Sequence, residues 1–138
     1  MNVCMDSSAL AKRYILEKGT KQVHSILQNS SGLAVCILTV PEISSALNRR
    51  LREDFLTEDH YQQIMQQFLT DVHDMVILQL TSAVIQRSLK LLENHPLRAM
   101  DSLHIATALE WQSELFVTAD KNQFEAADKE GLETMFIG

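Results

Sequence analysis

Asp6, Glu42, Asp101 and Asp120 are the residues of this 138-residue chain whose types and positions best suit them for chemistry. Asp6 directly follows the apolar run Val3-Cys4-Met5, and Asp120 follows Leu115 to Thr118, so both stand just beyond the carboxyl ends of predicted strands. That edge is where open α/β sheets usually place their sites. Glu42 falls in the first turn of a predicted helix, after Leu33 to Leu38 and Pro41, at the same edge. Asp101 opens another helix, whose small residues Ala106, Thr107 and Ala108 permit close packing on the sheet. Taken singly, each acid has a simpler role: Asp6 and Asp101 as helix N-caps, Glu42 as a partner of the helix dipole, Asp120 as the cap of the last helix. Four together are a different matter, because adjacent carboxylates without a counter-charge repel and raise one another's pKa. A hard divalent cation relieves that repulsion. Mg²⁺ and Mn²⁺ prefer oxygen donors, and Mg²⁺ commonly keeps several waters beside one or two carboxylates.

Other chemistries find little support. Gly19, Gly32, Gly131 and Gly138 are scattered, so no phosphate-cradling loop or dinucleotide fingerprint is present. There is no GxSxG elbow, and His24, His60, His73, His95 and His104 show no HExxH or other ligand spacing. His104, three residues after Asp101 on the same helix, is the one histidine placed near the acids. Cys4 and Cys36 fall in apolar, strand-like stretches without CxxC spacing, as buried thiols do.

The elements that must position the acids can be read from periodicity. Short runs rich in β-branched residues alternate with stretches of helical period, the pattern of βαβ units around a mostly parallel sheet. Strands are expected at about Asn2 to Met5, Leu33 to Leu38, Met75 to Gln79, Leu115 to Thr118 and Glu133 to Phe136. The clearest helix follows the N-cap candidate Thr57, with Tyr61, Ile64, Met65, Phe68, Leu69 and Val72 as its stripe. A second spans Ser82 to Asn94 with Val84, Ile85, Leu89 and Leu92 on one face. A third begins near Pro41, a residue suited to the first helical position, and buries Ile43, Ala46, Leu47 and Leu51. Shorter helices are expected at Ser8 to Glu17, Thr20 to Gln28, Ala99 to Trp111 and Lys121 to Lys129.

Length and composition suit one domain over residues 1–138, large enough to bury about two-thirds of its unfolded surface. The start lacks the basic-then-apolar order of a secretory signal, and no apolar run is long enough to span a bilayer, so the expectation is a cytoplasmic protein. A formal net charge of −6 argues at face value against a nucleic-acid partner. The average hides an asymmetry. Up to Arg52 the chain has seven Lys/Arg against three acids, and beyond it five against fifteen. A basic rim beside an acidic centre would suit a polyanion held over a metal, although a solvated helix face explains any one of these cations equally well.

Four segments together resemble the blocks of PIN-domain proteins, and most of all VapC-type toxins, in order and spacing: residues 5–14, MDSSALAKRY; 41–47, PEISSAL; 101–108, DSLHIATA; and 117–124, VTADKNQF. The resemblance covers essentially the whole chain. It implies a three-layer α/β/α fold with a five-stranded sheet in order 3-2-1-4-5, a Mg²⁺- or Mn²⁺-dependent ribonuclease, frequent homodimers and inhibition by a VapB-type antitoxin. It carries the metal-binding acids onto Asp6, Glu42, Asp101 and Asp120, and places Ser7 and Thr118 at small hydroxyl positions beside them. Some relatives add an acid two residues past the fourth, where this chain has Asn122, which weakens the case for a second cation.

The expected activity is endoribonucleolytic: water activated by the cation attacks phosphorus in line, leaving a 3′-hydroxyl and a 5′-phosphate. Lys12, Arg13 and Arg49 are the candidates for gripping the RNA backbone, from the N-terminal charge excess and, for Lys12, from the family likeness. The alternative is a non-cleaving PIN-like protein that binds RNA or an antitoxin. A phosphoacceptor receiver domain ranks low, since the stretch Met75 to Gln79 leads into Leu80-Thr81-Ser82 without the acceptor Asp such a domain needs.

Overall fold

A computed structural model describes residues 1–138. Its strands are β1 (Asn2–Met5), β2 (Gly32–Cys36), β3 (Val76–Leu78), β4 (Leu115–Thr118) and β5 (Thr134–Phe136). Its helices are α1 (Ser7–Tyr14), α2 (Thr20–Asn29), α3 (Thr39–Arg52), α4 (Glu58–Asp74), α5 (Ser82–Asn94), α6 (Ala99–Trp111) and α7 (Lys121–Lys129). The strands form one sheet in the order β3-β2-β1-β4-β5, and every neighbouring pair is parallel. This is the three-layer α/β/α arrangement expected from the sequence, with the parallel pairing complete.

Both faces of the sheet are covered, which is why its strands read as continuous apolar runs. On one face Val3 and Met5 of β1, Val35 of β2 and Leu115 and Val117 of β4 join Leu10 (α1), Val23 (α2), Ile43 and Leu47 (α3) and Phe68 (α4). On the other, Cys4 and Phe116 join Val84 and Leu91 of α5, Ile105, Ala106 and Ala108 of α6, and Ala126 and Ala127 of α7. The alternation of neighbours along β1 and β4 is the period-two geometry of a strand buried on both sides. The small residues of α6 sit against the sheet as expected, and the helix is buried from Asp101 to Ala108 except at Leu103.

Three sequence readings shift. Residues 37 and 38 leave the second strand, and α3 starts at Thr39, so Pro41 is its third residue rather than its first. A proline is tolerated there because the first-turn N–H groups have no intrahelical acceptor. The buried face of α5 is Val84, Ser88 and Leu91. Ile85, Leu89 and Leu92, one position further round, face outward, with Leu89 58% exposed. In α4, Leu69 also turns outward while Phe68 is buried and meets the Tyr14 ring edge-on at 5.2 Å. No helix is long and apolar enough to cross a membrane.

A polar clasp joins α1 to α4. Asp71 accepts from Arg13 Nε at 2.8 Å, from Tyr14 Oη at 2.6 Å and from Gln67 Nε2 at 2.8 Å. Partial burial pushes the Asp71 carboxyl upward, but these donors hold it below the usual range. A depressed folded-state pKa contributes stability above the unfolded value and loses it as pH falls through the folded one. Asp71→Asn is therefore expected to destabilise at pH 7 by about 1–2 kcal/mol, the size of a charge-assisted hydrogen bond at a partly exposed site. Denaturant titrations should show the gap from wild type closing below about pH 4, where the unfolded-state carboxyl protonates; a constant gap would contradict the assignment.

Candidate active site

Parallel pairing brings the carboxyl ends of β1, β2 and β4 to one edge; Asp6 and Asp120 directly follow β1 and β4, Glu42 lies in the first turn of the helix after β2, and Asp101 in the first turn of α6, which precedes β4. Asp6 follows Met5 directly and caps α1, accepting from the Ala9 N–H at 3.0 Å. Its side chain is the most enclosed of the four, at 1% exposure. Ser8 Oγ donates to the carboxylate at 2.7 Å, and Thr118 Oγ1, at the end of β4, donates to Oδ2 at 2.8 Å. No Lys or Arg pairs with it. Burial raises its pKa, and the charge His104 can carry and the bonds from Ser8, Ala9 and Thr118 only partly offset that rise.

Asp120 and Asp101 connect to this centre through intermediaries, and Glu42 belongs to a neighbouring group of its own. Thr118 Oγ1 accepts from the Asp120 N–H at 3.0 Å, and Asp120 caps α7 by accepting from the N–H groups of Asn122 at 2.8 Å and Gln123 at 3.3 Å. Gln123, itself buried, donates from Nε2 to Asp101 Oδ1 at 3.1 Å, while its Oε1 has no partner. Asp101 is 6% exposed and is the third residue of α6, not its cap; its Oδ2 accepts from the Arg98 N–H at 3.2 Å. Glu42, in the first turn of α3, accepts at Oε1 from Ser7 Oγ and from His104 Nε2, both at 2.7 Å. Partial burial pushes the Glu42 carboxyl up, but these two bonds and nearby positive charge hold it below the ordinary value.

Asp6, Asp120 and Asp101 thus belong to one hydrogen-bonded network and Glu42 to a second with Ser7, Thr39 and His104, and no three His, Cys, Asp or Glu side chains are disposed to hold an ion between them. Such a set does not form a closed cage. It does fit a hydrated hard cation, which takes one or two carboxylates and completes its shell with water. The supporting observation is Asp6, a buried carboxylate that burial pushes to a raised pKa and that no Lys or Arg pairs with.

Beside the network lies a cleft of about 610 Å³, lined among others by Ser7, Ser8, Glu42, Ser45, Arg49 and Arg98. Of the cations expected to grip a polyanion, Arg49 is here. Lys12 is not among the lining residues: its Nζ donates to the Lys18 carbonyl at 2.7 Å and pairs with Glu17. Arg13 is turned to Asp71 in a separate cavity of about 460 Å³. Sequence reasoning missed Arg98, because a lone arginine after a proline carries no signal; its side chain is 87% exposed. Asn122 caps nothing with its side chain and is exposed. Gln123 was also missed, although its one-turn spacing from Asp120 on a capped helix was visible.

Comparison with known proteins agrees with this architecture. The family model of the PIN domain matches residues 3–130. The chain belongs to the PIN-domain family. Its fold is similar to that of the DNA-bound VapBC structure from Salmonella typhimurium (TM-score 0.72, 11% identity, 99% of this chain and 98% of that one). It is also similar to a FitAcB structure from Neisseria gonorrhoeae (TM-score 0.72, 13% identity, 96% of both chains). A third likeness is to a VapC of Mycobacterium tuberculosis described as a sarcin-ricin-loop-cleaving toxin (TM-score 0.68, 12% identity, 94% of this chain and 95% of that one). No curated protein matches the chain by sequence.

If Asp6 lacks a counter-cation, neutralising it should cost the metal-free protein little. Asp6→Asn, which keeps an N-cap acceptor, is expected to melt at or above the wild-type temperature without divalent metal. Mn²⁺ at about a hundred times its Kd should stabilise wild type by about 2.7 kcal/mol and leave the variant unmoved. Differential scanning calorimetry showing an equal Mn²⁺ shift in both proteins would remove Asp6 from the site.

Proposed function

We propose that this protein is a divalent-metal-dependent endoribonuclease, the toxin of a type II toxin-antitoxin pair. The observation that carries the reading is the buried Asp6 carboxylate, linked by hydrogen bonds through Thr118 and Gln123 to Asp120 and Asp101 in a PIN-domain fold and set beside a cleft with Glu42 and two arginines on its lining. Asp6, Glu42, Asp101 and Asp120 would supply the site for Mg²⁺ or Mn²⁺, one or two of them as direct ligands and the others through bound water. When bound, such an ion supplies Lewis-acid chemistry, neutralising charge at the scissile phosphate and making water acidic enough to lose a proton near neutral pH.

The chain's own residues do the positioning. Ser8 and Thr118 orient Asp6, Ser7 orients Glu42, and Gln123 orients Asp101. Asn122 is a neutral amide and adds no carboxylate to the set, so one cation is proposed rather than two. Arg49, from α3, makes no ion pair, and Arg98 spends only one 3.5 Å contact on Asp101, so both can bind backbone phosphates entering the cleft. Lys12 and Arg13, held by Glu17 and Asp71, are assigned no part in the grip.

Two partners follow. The outward Ile85, Leu89 and Leu92 of α5 form an apolar helix face suited to a second copy of the chain. Light scattering should give twice the 15.6 kDa monomer mass, and Leu89→Glu should return it to one. A VapB-type antitoxin is the proposed inhibitor, supported by the fold's similarity to VapBC structures and to a structure described as a toxin-antitoxin complex; a small neighbouring reading frame whose product blocks cleavage would establish it. RNA as substrate places the action in the cytoplasm.

With Mn²⁺, purified protein should cut single-stranded RNA to 5′-phosphate products, and Asp101→Asn should lower the rate at least about a hundredfold, in line with losing a residue that holds the transition state's electrostatics. Arg49→Ala and Arg98→Ala should each weaken RNA binding and reduce the salt slope by about one, while Arg13→Ala changes neither. Cleavage that survives Asp101→Asn, or needs no divalent ion, would defeat the proposal.

A further inference from the structure

His104 lies in α6 with its side chain 3% exposed, facing the first turn of α3. A carboxylate can only accept hydrogen bonds, so Nε2 carries the hydrogen of the 2.7 Å contact with Glu42. Ser7 Oγ reaches the same Oε1 atom at 2.7 Å and lies 3.1 Å from Thr39 Oγ1. Both donors thus hold one oxygen of Glu42, and Oε2 makes no hydrogen bond to the protein. Glu42 is also the only one of the four acids on the lining of the cleft.

A glutamate has three side-chain torsions, and an exposed one moves among many rotamers. In α3 the first turn faces the cleft, where water would otherwise be the carboxylate's partner. The imidazole is rigid and, buried on α6, unable to follow Glu42 outward, so the bond is a fixed anchor. Burying a histidine with Nδ1 left unpartnered costs free energy. An apolar residue would fill the position without that cost.

We propose that His104 is a positioning residue that locks Glu42 by Oε1 and so leaves Oε2 for a divalent cation at the acidic site beside the cleft. The assignment rests on the nuclease reading above. Losing an outer partner of a metal ligand typically weakens metal binding by about 10–100-fold. His104 therefore acts through Glu42 and touches neither the ion nor the RNA.

Isothermal calorimetry of the full chain with Mn²⁺ alone tests this, with no RNA present. His104→Leu should weaken Mn²⁺ binding by about 10–100-fold. His104→Gln, whose amide nitrogen can reach the same oxygen, should restore most of it. Equal affinity in wild type and His104→Leu would overturn the proposal, as would equal loss in the Leu and Gln variants, which would mark a packing role. If His104→Leu fails to fold, His104→Asn, too short to reach Glu42, takes its place with the same expectation. Wild-type protein that binds no Mn²⁺ would instead defeat the nuclease reading itself, whatever the variants do.

Discussion

A carboxylate enclosed at the end of the central strand is the constraint around which this molecule is arranged. Asp6 directly follows β1, flanked by β2 and β4, where water cannot solvate its charge. Burying a charge is tolerated only with donors or a counter-ion. Two hydroxyls and one backbone N–H supply the first, from α1 and β4. None supplies a full positive charge, so the site keeps an unmet electrostatic demand at its centre.

The same donors tie the sheet edge together. Thr118 links Asp6 to the turn that starts α7, Asp120 caps that helix, and Gln123 on it holds Asp101 of α6. Each acid is thereby fixed by a neighbour that is itself fixed in a packed element, the arrangement that preorganised sites require. Capping and chemistry are not competing explanations here. Asp6 and Asp120 cap helices through the very carboxylates proposed to bind a cation, and the helix N-terminus favours their negative charge.

Charge works on two scales in the chain. The overall −6 disfavours a polyanion, and the basic N-terminal third offers several cations that could offset it. Folding consumes most of the nearest of these: Arg13 joins the Asp71 clasp and Lys12 turns to Glu17 and a carbonyl. The cations left on the cleft come from distant places in sequence, Arg49 from the helix after β2 and Arg98 from the segment before α6. A phosphate backbone would therefore meet a local field quite unlike the molecular average.

Strands β1 and β4, the helix spans after Thr57 and Thr81, and the positions of all four acids at one edge were legible in the chain, because local periodicity and the rule for parallel sheets require only sequence order. The rotation of α5 by one residue was not, since Ile85, Leu89 and Leu92 and the buried Val84, Ser88 and Leu91 both recur at helical spacing and only the neighbour α6 selects between them. Nor was the partnering of Glu42 with His104, or of Asp101 with Gln123, residues 62 and 22 positions apart. Sequence by itself determined which acids stand at the carboxyl edge. The tertiary structure alone decided which oxygen of each is occupied and which cations stay free, because those depend on side chains from separate helices meeting at distances that no local pattern encodes.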